Sequence, residues 1–278
     1  MTVTVPMRAA LRVAAALSVA CMAVQAHADD ASPWQQDKHS AVRLIAGSRS
    51  GAVLLGGIAF QLQDGWKTYW RTPGDSGVPP RFDFSKSDNV EAVTVMWPAP
   101  RQFDDGAGGT SLGYKKHVVL PLRIVAKNPD KPLVLRAEIN YAVCEKLCVP
   151  VEASAELAFA SVASTEDATL SEALNAVPKP ANIGDPTPFT IRDVKRDGNI
   201  VVVDVSAPET KDLSLFVEGP TPDWALPVPK LAAQSPPGVK RFSFELDGLP
   251  PGAKADGAAL KLTLVGGDKA YEFNVSLN

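Results

Sequence analysis

Apolar and polar residues alternate along much of the chain after residue 34, and the alternation is clearest over residues 133–159. Apolar side chains occupy every second position of 133–143 and again of 149–159. A period of two is typical of β-strands with one buried and one solvent-facing side. The pattern therefore predicts a β-hairpin whose two strands are joined by the turn Glu145-Lys146-Leu147.

The hairpin carries Cys144 and Cys148, the two cysteines expected in the mature protein. Both fall on the mostly polar side of the alternation, so we expect both to be accessible. A three-residue turn would place them opposite each other, where Cβ atoms are about 4.5–5.5 Å apart, close to the spacing of a disulfide. On an unbroken strand they would be about 13 Å apart, so a disulfide requires the turn.

Two interpretations of this pair remain open. A disulfide that closes only five residues stabilises a fold by about 2 kcal/mol, and secreted domains do use such bonds as staples. A single accessible pair in a short loop instead favours a reducible, redox-active bond. Lys146 would favour a thiolate and Glu145 would oppose it.

Metal binding is the weaker alternative. A structural zinc site requires about four ligands, and only His39 and His117 remain to complete one. Two thiols suit Cu(I), but no methionine-rich stretch accompanies them, so a copper-handling protein is the least favoured function. We expect neither a metal nor a cofactor.

Shorter apolar-rich runs bounded by glycine, proline or serine predict further strands. They cover residues 41–45, 53–63, 90–97 and 116–125 before the hairpin, and 189–194, 200–205, 213–217, 241–246, 260–265 and 271–277 after it. Residues 164–176 predict one short helix, capped by Ser164 or Thr165 and ended by Pro178 and Pro180. The fold class is therefore all-β: two immunoglobulin-like β-sandwich domains, 29–160 and 187–278, joined by a helical linker over 161–186.

Residues 1–28 have the pattern of a secretory signal peptide. Arg8 and Arg12 precede an apolar stretch, and Ala26-His27-Ala28 has the small-residue pattern of a cleavage site. Cys21 raises the alternative of lipid modification, which the residues around it disfavour. No later run approaches the ~20 apolar residues of a membrane-spanning helix, so we expect a soluble, exported protein that is cleaved after Ala28 and resides in a compartment where disulfides persist. The formal net charge of −3 gives no basic excess to indicate nucleic-acid binding.

Two loops are expected to surround the cysteines. The first follows a strand with three aromatic residues and ends in Pro-Gly-Asp-Ser-Gly at 73–77. We expect Tyr69 or Trp70 to shield the sulfurs, and Arg71 or Asp75 to hold the loop. The alternative is that the aromatic residues belong to the core and the loop is only a turn.

The second loop is rich in glycine and covers residues 103–113. Phe103 or Tyr114 could cover a reactive group from there. A plain flexible loop is the equally favoured alternative.

These features together resemble the N-terminal periplasmic region of the DsbD and ScsB type of thiol:disulfide interchange proteins. The resemblance covers about residues 33–160, and 161–278 is similar to an extension in the ScsB-type branch. It is carried by Tyr69-Trp70-Arg71-Thr72-Pro73-Gly74-Asp75-Ser76-Gly77, by Gly113-Tyr114, and by Tyr141-Ala142-Val143-Cys144 with Cys148-Val149-Pro150.

The resemblance implies a dithiol carrier that acts as a protein-disulfide reductase. A membrane-embedded donor of the DsbD/CcdA type would supply electrons, and thioredoxin-fold or other oxidised periplasmic proteins would accept them. Cys148 would be the attacking thiol and Cys144 the resolving one. The sequence departs from the DsbD form in the shorter spacing of its cysteines. It also contains neither a transmembrane nor a thioredoxin-like domain, so the electron source would be a separate protein.

Overall fold

The structure is a computed structural model that describes residues 1–2, 29–104, 108–207 and 212–278. Nearly every element in these ranges is a β-strand, which confirms the all-β prediction. Most of the predicted signal peptide, including Cys21, lies outside the described residues. None of the helices in the described ranges has the length and apolar character that crossing a membrane requires.

The first sandwich consists of two antiparallel sheets with the orders β1-β2-β3-β9-β6 and β11-β10-β4-β8-β7, and β5 pairs with β10. Trp70, Phe60 and Phe159 are the largest side chains fully buried between them. The strands are β1 (Gln35–Gln36), β2 (Ser40–Ala46), β3 (Val53–Leu62), β4 (Lys67–Gly74), β5 (Arg81–Asp83), β6 (Val90–Val95), β7 (Arg101–Asp104), β8 (Thr110–Lys115), β9 (His117–Ala126), β10 (Leu133–Cys144) and β11 (Cys148–Phe159).

The predicted hairpin is confirmed as β10 and β11. Its register runs without a break from Leu133 opposite Phe159 to Cys144 opposite Cys148, so the turn is the expected Glu145-Lys146-Leu147. Local alternation and a short turn are sufficient to determine this register. The hairpin lies at one side of its sheet, with β11 as the edge strand.

One helix, α1 (Asp167–Asn175), follows the first sandwich. The helix begins three residues later than the predicted residue 164. Ser164 still contacts the backbone just before the helix, where its hydroxyl accepts a hydrogen bond from the N–H of Glu166 at 3.0 Å. Leu170 is fully buried against Ile45 and Ala59. The helix therefore packs on the outside of the β2–β3 sheet.

The second sandwich pairs two four-stranded sheets, in the orders β12-β19-β18-β15 and β13-β14-β17-β16. Its strands are β12 (Lys179–Ala181), β13 (Thr190–Asp197), β14 (Ile200–Ser206), β15 (Leu213–Glu218), β16 (Lys230–Leu231), β17 (Lys240–Glu245), β18 (Ala259–Gly266) and β19 (Lys269–Ser276). Strand β12 lies in the segment expected to be linker, yet it pairs in parallel with β19. Because it pairs with β19, this short strand belongs to the second sandwich.

The two sandwiches meet along β4. Phe216 of the second sandwich is buried in the core of the first, with its ring centroid 6.0 Å from that of Trp70. Beside it, the guanidinium of Arg71 donates to both oxygens of Glu218 at 2.8 and 2.7 Å and to Glu272 at 2.7 Å. The strand that borders the cysteines is thereby fixed to the second domain.

Candidate redox site

Cys144 and Cys148 form a disulfide at the tip of the hairpin, with their Cα atoms 4.2 Å apart. The two sulfurs differ in environment. Cys144 is 2% exposed, whereas Cys148 is exposed to solvent. The expectation that both cysteines are accessible is therefore wrong for Cys144.

Strand β4 is the reason that Cys144 is buried. Cys144 pairs with Lys67 of β4, so β10 is not an edge at this point. Tyr69 stands two residues along β4 on the same side, and it forms a small buried cluster with Ala142 and Cys144. The alternation identified the outer face of the sheet correctly, but β4 and its side chains cover part of that face.

Tyr69 contacts both cysteines, because its ring packs against the buried Cys144 and its hydroxyl reaches the exposed Cys148. Its hydroxyl lies 3.3 Å from the Sγ of Cys148, within hydrogen-bond distance for sulfur. Its ring is almost fully buried under the loop that follows β4. A Cβ at Gly77 would lie 2.6 Å from two ring carbons of Tyr69, so only glycine allows the loop to pack this closely.

Asp75 fixes the same loop to β8. Its N–H donates to the carbonyl of Thr110 at 2.8 Å, and its carboxylate accepts the N–H of Thr110 at 2.9 Å. Gly74 adopts a φ of +84°, a conformation that side chains other than glycine rarely adopt. The Pro-Gly-Asp-Ser-Gly segment is thus a shaped loop that holds Tyr69 in place.

Trp70 and Arg71 do not line the sulfurs. Successive side chains of β4 point to opposite faces, so Trp70 points into the core while Tyr69 points to the disulfide. Arg71 pairs with glutamates of the second sandwich, as described above, rather than with the loop. Both residues connect the site to the rest of the molecule.

The sequence predicts that either Phe103 of β7 or Tyr114 of β8 could cover the reactive group, but Phe103 lies on the cysteine side and Tyr114 does not. The ammonium groups of Lys67 and Lys115 lie 5.9 and 4.5 Å from the centroid of the Phe103 ring. Tyr114 is buried and donates its hydroxyl to the carbonyl of Pro98 at 2.8 Å. Burial raises the pKa of Tyr114 well above its ordinary value, so this hydroxyl stays protonated.

The turn itself is open to solvent. Glu145 and Lys146 are exposed, and Leu147 is 79% exposed, which is unusual for a large apolar side chain. Within the described ranges, no three His, Cys, Asp or Glu side chains are close enough to bind a metal ion. The chemistry available here is that of the two sulfurs.

The sequence predicts neither Lys67 nor Gly77 as a residue of the site. Lys67 is on the same side of β4 as Tyr69, two positions away, so the alternation of β4 could have placed it near the sulfurs. The sequence marks Gly77 as the last residue of the Pro-Gly-Asp-Ser-Gly loop, but no local pattern shows its contact with the Tyr69 ring.

The chain is similar to known proteins in sequence and in fold. A family model described as thiol:disulfide interchange protein DsbD, N-terminal, matches residues 37–160. The crystal structure of the N-terminal periplasmic domain of ScsB from Proteus mirabilis superposes with a TM-score of 0.73 at 21% sequence identity. The match covers 90% of this chain and 99% of that chain, so it includes both sandwiches.

Two other solved structures are less similar. A yeast GGA1 GAE domain has a TM-score of 0.26 at 11% identity, and covers 45% of this chain and 97% of that chain. A conserved domain protein from Bacillus anthracis has a TM-score of 0.23 at 11% identity, over 84% of this chain and 75% of that chain. Neither carries an argument about fold. A search of curated proteins gave no match.

The family match and the disulfide refer to the same segment, since both cysteines lie within residues 37–160. The ScsB structure shows that this fold also occurs with a second sandwich attached. Residues 37–160 are therefore similar to the N-terminal region of the thiol:disulfide interchange protein DsbD, and both cysteines of the disulfide lie within the matched segment.

Proposed function

We propose that this protein is a dithiol carrier of the periplasm. It is exported with removal of residues 1–28, receives electrons from a membrane-embedded donor of the DsbD/CcdA type, and reduces thioredoxin-fold or other oxidised periplasmic proteins. The observation that carries the proposal is the asymmetry of the disulfide, in which one sulfur is exposed and its partner is buried. A carrier needs such an asymmetry, because one thiol must meet a partner and the other must resolve the intermediate.

Cys148 is the attacking thiol in this proposal. Its thiolate attacks one sulfur of the partner's disulfide, that bond breaks, and the partner's other sulfur leaves as a thiolate and takes up a proton. The thiolate of Cys144 then attacks the Sγ of Cys148, which closes the internal disulfide and releases the second partner thiol. Two electrons pass to the partner, and a donor dithiol restores the reduced state by the reverse sequence.

The position of Cys148 supports this role. It begins β11, the edge strand of its sheet, and Pro150 two residues later has no N–H to offer a neighbouring strand. A partner can therefore approach from the edge without displacing another strand. Cys144 lies beneath Tyr69 and can meet only the sulfur of Cys148.

Trapping of the mixed disulfide tests the assignment. Cys144→Ala should accumulate an adduct with a periplasmic partner, because the resolving thiol is gone, while Cys148→Ala should trap little. The variant without either cysteine is the matched control for adventitious thiol coupling. The opposite pattern would reverse the assignment, and no adduct from either single variant would favour a structural staple.

Export is tested separately by intact-mass analysis. The protein recovered from the periplasm should begin at Asp29, because the cleavage pattern Ala26-His27-Ala28 directly precedes it. An N-terminal lipid on Cys21 would contradict this processing.

A further inference from the structure

Lys67 is a buried charged side chain that the mechanism above does not use. It is 8% exposed, which is rare for lysine in a folded protein. It is the register partner of Cys144, so the two side chains leave the same face of the sheet from adjacent strands. Directly opposed residues have Cβ atoms about 4.5–5.5 Å apart, which brings the lysine within reach of the thiol.

The ammonium group of Lys67 lies over the ring of Phe103. The centroid of this ring lies 5.9 Å from the Nζ of Lys67 and 4.5 Å from the Nζ of Lys115, the next residue in the same cross-strand row. Burial beneath an aromatic ring lowers the local dielectric constant, so a charge acts more strongly on its neighbours than it would at the surface. Lys115 is exposed and its charge is screened by water.

Among the residues that the structure describes, three elements contribute polar or charged groups near Cys144. Strand β4 contributes Lys67 and Tyr69, β8 contributes Lys115, and the turn contributes Glu145 and Lys146. Glu145 and Lys146 are exposed and of opposite sign. Of the four charged side chains named here, Lys67 is buried and the other three are exposed.

We propose that Lys67 is a positioning residue that stabilises the thiolate of Cys144. A cation beside a thiol favours the ionised form, and the thiolate is both the better nucleophile and the better leaving group. This role rests on the proposed function in both directions of the reaction. Cys144 attacks Cys148 as a thiolate when a mixed disulfide is resolved, and it leaves as a thiolate when a donor attacks Cys148 to reduce the pair.

Titration of the single thiol tests the proposal without any partner protein. In the Cys148→Ala background, ultraviolet thiolate absorbance followed against pH reports Cys144 alone. Adding Lys67→Met should raise the midpoint of this titration by about one pH unit, because the nearby positive charge is lost. Lys67→Arg should restore the original midpoint.

Lys115→Met is the matched control, since it removes the same charge from the next strand of the same face. It should leave the midpoint unchanged within error. An equal shift of the midpoint in Lys115→Met would show that positive charge acts generally and not from Lys67 in particular. An unchanged midpoint in Lys67→Met would show that Lys67 does not stabilise the thiolate. Either result overturns the proposal. Should Lys67→Met fail to fold, Lys67→Gln removes the same charge and keeps the test open.

A second readout uses the protein with both cysteines in glutathione redox buffers. Loss of Lys67 destabilises the reduced form, so reaching half reduction at pH 8 should need a ratio of reduced to oxidised glutathione (GSH²/GSSG) higher by on the order of threefold. The expected direction depends only on the sulfur pair. Failure to trap a partner would therefore count against the proposed function alone, and an unchanged glutathione ratio would count against Lys67 alone.

Discussion

At the scale of single residues, Tyr69 makes the two sulfurs different. It packs on Cys144 with its ring and reaches Cys148 with its hydroxyl at 3.3 Å. A phenol at this distance can donate a hydrogen bond to the thiolate of Cys148 after reduction, and hydrogen bonds to charged groups contribute about 1.5–3 kcal/mol. The hydroxyl should therefore help to activate the attacking thiol, whereas the ring maintains the burial of the resolving one.

Tyr69→Phe separates these two roles, because it removes the hydroxyl and keeps the ring. In the Cys144→Ala background, the midpoint of the pH profile for alkylation of Cys148 should rise by about one unit. Tyr141→Phe is the control, since it removes a hydroxyl of the same sandwich that contacts Ser40 at 2.8 Å and not a cysteine. A shift of equal size in both variants would contradict the role assigned to Tyr69.

Gly77→Ala should disturb the same contact from the loop side. The added Cβ would lie 2.6 Å from the Tyr69 ring, and overpacking of this kind costs about 1–3 kcal/mol. Gly56→Ala is a matched control, because its Cβ would lie 2.7 Å from Phe159 in the core. Both variants should lower the free energy of unfolding, but only Gly77→Ala should change the alkylation rate of reduced Cys148.

The sequence could locate the sulfurs but not their difference in exposure. The alternation and the turn placed Cys144 opposite Cys148 because that pairing is local. The burial of Cys144 depends on β4, a strand more than 60 residues earlier in the chain. Alternation within one strand carries no information about which distant strand covers it.

At the scale of elements, the hairpin does not depend on its disulfide. Strands β10 and β11 pair over their whole length, and the bond closes a loop of only five residues. Such a cross-link contributes about 2 kcal/mol to the free energy of unfolding. The hairpin should therefore persist in both redox states, as a carrier requires.

Reduction of the wild-type protein should lower the melting temperature of the first sandwich by about 5–10 °C and leave it folded. Calorimetry with and without a dithiol reductant measures the shift. The variant lacking both cysteines should melt at the same temperature in either condition. Unfolding on reduction at ambient temperature would contradict a carrier and support a staple.

The packing of α1 against the first sandwich should weaken at acid pH. Hydrogen bonds from Ser48 lower the pKa of Asp167 in the first turn of the helix below its usual value of 3.8. A carboxyl whose folded pKa is depressed contributes stability above the unfolded pKa and loses it as the pH falls through the folded one. Asp167→Asn should therefore lower the melting temperature at neutral pH, and the difference should shrink as the pH falls below 3.8 and through the lowered pKa of the folded state.

The exposed Glu172 on the same helix is the control for this prediction. Glu172→Gln should show no such pH-dependent difference. Equal behaviour of the two variants would assign the effect to net charge rather than to the contact with Ser48.

At the scale of the whole molecule, β4 connects the disulfide to the second sandwich. Tyr69 contacts Cys144, Trp70 lies in the core, and Arg71 pairs with the two glutamates at the junction between the sandwiches. Six of the eight described strands of the second sandwich could be predicted from local apolar runs, whereas the two-residue β16 could not. Strand β12 could not, since three residues that include Pro180 form a strand only through pairing with the distant β19.

Arg71→Met should loosen this junction. It leaves Glu218 and Glu272 without their shared cation in a partly buried site, which should lower the free energy of unfolding by about 1–3 kcal/mol and split the unfolding transition in two. Arg241→Met is the matched control, because Arg241 makes a similar two-point contact with Asp204 inside the second sandwich. A single, unshifted transition in Arg71→Met would contradict the junction.

The proposed function requires that Cys144–Cys148 is a working redox pair and not a staple. The reduction potential of this pair, measured by equilibration with glutathione or dithiol buffers of defined ratio, tests the requirement most directly. Structural disulfides of secreted proteins lie below about −300 mV, and exposed or catalytic ones lie above. A working redox pair should have a potential well above about −300 mV, and a value below about −300 mV would show that the disulfide is structural.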